Sequence, residues 1–95
     1  MDTLNLAHNS LTALPISFVQ FQMLRVLDLS HNKFTVFPSE VCSLVKLDAL
    51  TLNDNFIEVL PDGVRQLQAV ELELNNNRVP LIECFTFFSK FNVFI

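Results

Sequence analysis

The feature that most constrains this chain is a 23-residue period. Asn9, Asn32 and Asn55 are 23 residues apart, and so are Pro15, Pro38 and Pro61. Around them run LNLAHNSLTALP from Leu4, LRVLDLSHNKFTVFP from Leu24 and LDALTLNDNFIEVLP from Leu47. A fourth copy opens with AVELELNNN at Ala69, where Asn77 follows Asn55 by 22 residues. Three residue classes recurring in phase define a repeat array, in which each unit buries its apolar face against its neighbours. At 95 residues the chain is one domain at most.

Each repeat has a strand half and a return half. Leu4/Leu6, Leu27/Leu29, Leu50/Leu52 and Leu72/Leu74 alternate with other residues, the period-two pattern of a half-buried strand. Stacked repeats place these strands in parallel, about 4.8 Å apart, with the leucines inward. The asparagine that follows carries both donors and an acceptor. It is predicted to serve backbone groups of its own and the adjacent coil, in a buried ladder where every group must be satisfied. In the return half, Leu11, Phe34 and Ile57, then Leu14, Phe37 and Leu60, precede the proline. Proline at a first helical position forfeits no intrahelical bond, and Glu40 and Asp62 suit a helix N-terminus. The returns therefore read as short helical or 3₁₀ segments.

The pattern L-x-x-L-x-L-x-x-N resembles the leucine-rich repeat. The added half at Leu14-Pro15, Phe37-Pro38 and Leu60-Pro61 resembles its 23-residue intracellular, Ras-group-related subtype. The likeness covers residues 1 to about 78. It implies an α/β solenoid, a horseshoe fragment with a parallel sheet on the concave face and helical or 3₁₀ returns on the convex face. It also implies a scaffold or adaptor role in signalling. The array divides into coils of about 1–23, 24–46 and 47–68, with a partial coil at 69–78. Neither end shows an obvious polar cap, so the chain reads as a piece of a longer array.

From Val79 the repeat stops, and residues 79–95 form a non-repeat hydrophobic tail with five of the ten phenylalanines. With 17 residues and Glu83 and Lys90 inside, it does not read as a membrane helix. Two readings stand: a cap over the open end of the solenoid, or a divergent C-terminus foreign to the fold.

A net charge of −4 offers no electrostatic basis for binding nucleic acid. Cys42 and Cys84 lack flanking cysteine clusters and read as free thiols in a reducing compartment. No basic stretch leads into an apolar core at the N-terminus, and Met1 is followed by Asp2 rather than the glycine of a myristoylation signal. The expected location is the cytoplasm.

Between and beyond the inward leucines, four columns cross the array. They are Thr3, Val26, Ala49 and Glu71; Asn5, Asp28, Thr51 and Glu73; Ala7, Ser30, Asn53 and Asn75; and His8, His31, Asp54 and Asn76. Rigid columns over a concave sheet suit an extended or convex protein partner. The candidate contacts in the first two coils are Asn5, His8, Val26, Asp28, Ser30 and His31. In the next two they are Thr51, Asn53, Asp54, Glu71, Glu73 and Asn75. The acidic C-terminal half calls for a partner with a basic patch.

A chemical alternative uses His8, His31 and Asp54, two histidines and a carboxylate in one column. That is a metal-binding composition. Set on successive coils, however, the three span roughly 10 Å of backbone in a row instead of converging on a point. Catalysis has less behind it. Ser30 beside His31 lacks a convincing oxyanion hole, Cys42 lacks a histidine partner, and one glycine makes no phosphate loop. No enzyme activity and no cofactor are expected. A truncated array without independent function is the remaining reading.

Overall fold

The computed structural model describes residues 2–69, 71–80, 83 and 92–94. Five short parallel strands form one sheet in chain order: β1 (Thr3–Asn5), β2 (Val26–Asp28), β3 (Ala49–Thr51), β4 (Glu71–Glu73) and β5 (Asn92–Phe94). Leu4, Leu27, Leu50 and Leu72 face one another across successive strands, so the repeat period becomes the sheet register directly. Each coil adds one rung, and no crossover interrupts the order.

The returns are 3₁₀ segments of five residues, at Ile16–Gln20, Ser39–Ser43 and Asp62–Gln66. Their prolines sit one position earlier than the first helical residue expected from sequence. Pro15, Pro38 and Pro61 are the N-cap residues, each with φ of −69° and extended ψ. From there each proline carbonyl accepts the first N–H of the turn, from Phe18, Val41 and Val64 at 2.9, 3.2 and 3.1 Å. The ring fixes φ near its preferred value, and the missing N–H lies outside the turn, so nothing is forfeited.

The core runs between sheet and returns. Leu27, Leu29, Leu50, Leu52 and Leu72 fill it from the strand side, and Phe34, Phe37, Ile57, Val41 and Val64 from the return side, all essentially inaccessible. Burying each such side chain contributes about 1.5–3 kcal/mol. The first coil is different: Leu4, Leu6 and Leu11 are only partly buried, because a coil packs on one of their sides alone. Val36 and Val59 add a parallel bridge between the second and third returns.

Within the tail, Val79 packs against the core and β5 pairs in parallel with β4, Leu72 opposite Val93. Most of residues 79–95, including Cys84, lies outside the described residues, and with it the choice between cap and divergent terminus.

Candidate functional site

The outward columns of the sheet are held in place by the asparagine ladder. The Asn32 side-chain amide donates to the carbonyls of Leu6, Leu29 and Ser30 at 3.0, 3.0 and 3.1 Å. Its oxygen accepts the Leu11 N–H at 3.0 Å. Asn55 repeats the pattern one coil on, with Leu29, Leu52 and Asn53 as acceptors and Phe34 as donor. Asn77 repeats it again with Leu52, Leu74, Asn75 and Ile57. Asn32 and Asn55 are buried, so each amide ties two coils together where no water competes. Asn9 donates within its own coil, to Leu6 and Ala7, and is exposed.

The columns beside the ladder are less free than their polarity implied. The Asp28 carboxylate accepts the N–H of Ser30 at 2.9 Å, and Asn5 does the same for Ala7. Both are turns of the kind in which a short polar side chain binds its own backbone two residues on. Ser30 is buried, and its Oγ accepts the Asn53 N–H at 3.1 Å, which leaves it unsuited to a nucleophile's role. Asn53 accepts the Asn75 N–H and donates to Glu73 Oε1 at 2.8 and 2.9 Å. Thus Asp28, Ser30, Asn53 and Glu73 are part of the fold's own bonding. Thr3, Val26 and Glu71 are exposed, and among the described residues their side chains make no such tie across the array; Ala49 is half-buried.

The fourth column is a turn. His8, His31, Asp54 and Asn76 have φ of 60°, 55°, 59° and 58°, all in the left-handed region. Of the non-glycine residues, Asn, Asp and His enter that region most readily. Backbone geometry therefore accounts for the two histidines and the carboxylate that composition alone offered as metal ligands. The side chains form a line: His8 stacks on His31 with centroids 4.3 Å apart and planes 9° off parallel. His31 Nε2 lies 3.2 Å from Asp54 Oδ2, and Asn76 donates to Asp54 Oδ1 at 2.8 Å. A metal ion sits in the plane of an imidazole that binds it, and two stacked, near-parallel planes share no such point. Among the described residues, no group of three or more His, Cys, Asp or Glu side chains is placed to hold a metal ion.

At the other end of the strands, Asp2, Arg25 and Asp48 alternate in charge across three coils. Arg25 donates through Nε and Nη2 to one Asp48 oxygen at 2.9 and 2.7 Å, a bond that raises the guanidinium's already high pKa. These residues, with Met23 and Lys46, line an open hollow of about 630 Å³. Sequence reasoning passed over it, although Arg25 and Asp48 stand 23 residues apart with opposite charge. Cys42 is a buried residue of the second return. Desolvation first, then nearby Glu40, pushes its thiol up to about 11, so it is a poor nucleophile at neutral pH.

Known proteins agree with this geometry. Residues 1–34 match the leucine rich repeat family. A leucine-rich repeat protein from Leptospira interrogans is similar over 100% of this chain, with a TM-score of 0.89 and 30% identity. The chain spans 25% of that protein's length. No curated protein matches. Among the described residues, no helix is long and apolar enough to cross a membrane. Domains built from such repeats generally mediate protein–protein interaction. Family match, structural likeness and ladder geometry together support the leucine-rich repeat family, and the chain folds as a fragment of a leucine-rich repeat solenoid.

Proposed function

We propose that this chain is a non-enzymatic protein-binding module that takes its partner on the concave sheet. One observation carries the reading: side-chain columns repeat in strict register across the strands, on a backbone pinned by the ladder asparagines. Such a surface is preorganised, and a partner that meets it orders little further on binding. Thr3, Val26, Ala49 and Glu71 are the column left for contact. Asp28, Glu73 and Asp54 surround it with negative charge, which favours a partner bearing a basic patch and not nucleic acid.

Repeat length and the Leu-Pro half support the 23-residue intracellular, Ras-group-related subtype. Ser43–Asn77 resembles the last repeats of leucine-rich repeat-containing protein 57. By that analogy the module is a cytoplasmic scaffold or adaptor in signalling. Affinity capture from cytosolic extract, identified by mass spectrometry, tests the face. Val26→Lys with Glu71→Lys is expected to lose the partner, while changes at convex Glu40 and Asp62 keep it. Loss from the convex pair alone moves the site to the other side.

A further inference from the structure

Immediately after the ladder asparagines, the chain turns outward at Ser10, Lys33, Phe56 and Arg78, equivalent positions in successive coils, and all four are exposed. Phe56 is 41% exposed between Asn55 and Ile57, which are buried. The Arg78 guanidinium carbon lies 5.0 Å from the centroid of its ring, a cation–π contact that holds the arginine in place. The backbone beneath is fixed: the N–H groups of Lys33, Phe56 and Arg78 donate to Leu11, Phe34 and Ile57 at 2.8, 2.9 and 2.8 Å. Among the described residues neither Lys33 nor Arg78 is in an ion pair. An exposed aromatic side chain thus stands between two uncompensated cations on a rigid rim, in a molecule whose net charge is −4.

We propose that this rim, Lys33–Phe56–Arg78, is a docking site for an acidic peptide segment of a partner protein. An aromatic side chain of the segment packs on Phe56, and carboxylates on either side meet Lys33 and Arg78. Aromatic residues and arginine are the types that dominate interface energetics. Arg78 retains outward donors that pair with a carboxylate in two parallel bonds. Two coils separate Lys33 from Arg78, roughly 10 Å; residues i, i+2 and i+4 of an extended peptide share one face and span about 13 Å, within reach of two long cationic side chains. Two cations match two carboxylates. A polyphosphate chain would bring more charge than the rim can meet, against the acidic sheet beside it. The site is separate from the concave column and does not depend on it.

The probe is a fluorescein-labelled peptide with a Glu-Ser-Phe-Ser-Glu core, titrated with the whole chain and followed by anisotropy. Saturable binding is expected, weakened about tenfold or more by Lys33→Glu with Arg78→Glu and also weakened by Phe56→Ala. Replacing both glutamates by glutamine in the peptide is expected to weaken binding equally, and raising salt to reduce it. Glu71→Lys, on the sheet, is expected to leave peptide binding unchanged, which separates this site from the concave one. Circular dichroism and thermal unfolding confirm that each variant is folded. The proposal is overturned if the peptide does not saturate, or if the folded charge-reversed variant binds it as wild type does. It is also overturned if an oligothymidylate of similar length binds more tightly than the peptide, or if Glu71→Lys abolishes binding.

Discussion

The ladder asparagines and the column just before them run side by side along the array, one residue apart in sequence. Asn32 is 4% exposed and its amide makes four hydrogen bonds across two coils. His31, its neighbour, has a side chain 49% exposed and reaches sideways to His8 and Asp54. The first position is occupied by asparagine in all four coils; the second by His, His, Asp and Asn. A buried amide that must both donate and accept leaves one residue type as the solution. A positive φ leaves several. Where the backbone makes a single demand the residue repeats, and where it asks only for tolerance the residue is free to vary.

The largest effect sets the scale for that contrast. Leu29→Ala removes a fully buried side chain between coils and is expected to cost about 2–5 kcal/mol, read by chemical denaturation. Asn32→Ala leaves buried backbone groups without partners and is expected to cost about 1–3 kcal/mol. The identical change at Asn9, exposed and bonded within one coil, is expected to cost within about 0.5 kcal/mol. Equal losses at Asn9 and Asn32 would show that the asparagine acts locally and that no ladder couples the coils.

The neighbouring column gives a smaller effect of a different kind. At His31, with φ of 55°, a β-branched residue is strained whatever it touches. His31→Val is therefore expected to be less stable than His31→Asn by about 1 kcal/mol or more. Both lose the stack on His8, and because an asparagine here can donate to Asp54 as Asn76 does, the pair is compared in an Asp54→Ala background, where the difference isolates the backbone. If the two variants unfold together, side-chain contacts and not φ select the residues of this column.

Much of this was legible in the sequence because a repeat states its own register. In-phase leucines placed four strands and their pairing, and in-phase asparagines foretold a ladder whose partners the structure then named. Three things were not legible. The prolines lie at the cap and not inside the turn, a one-residue distinction that hydrophobic spacing cannot draw. The left-handed backbone at His8, His31 and Asp54 leaves its mark only as a choice among His, Asp and Asn, which composition alone reads equally well as ligands. Asp28 and Glu73 alternate with inward leucines, yet alternation does not say whether an outward carboxylate is free or bonded to its own sheet.

That last point decides how the concave face is to be tested, and it carries the smallest expected change. Sequence pattern alone recommends charge reversal at Asp28 and Glu73, as outward residues whose loss leaves no cavity. In the structure Asp28 accepts the Ser30 N–H and Glu73 accepts from Asn53, so reversing them disturbs the turn after the strand as well as the surface charge. Asp28→Lys is expected to cost about 1 kcal/mol of stability before any partner is added. Glu71 shares the acidic surface and is exposed; its backbone N–H donates to Asp48, but among the described residues its carboxylate makes no hydrogen bond or ion pair across the array. Glu71→Lys is expected to change stability by no more than about 0.5 kcal/mol. With a basic partner it is expected to slow association, most clearly at low salt, because rim charges act on the encounter. Stopped-flow mixing at two salt concentrations, alongside thermal unfolding of both variants, measures each part. If Asp28→Lys unfolds like wild type, its bond to Ser30 contributes nothing and the two carboxylates are interchangeable. A Glu71→Lys variant that associates at the wild-type rate at both salt concentrations would remove the sheet's charge from recognition and leave its shape.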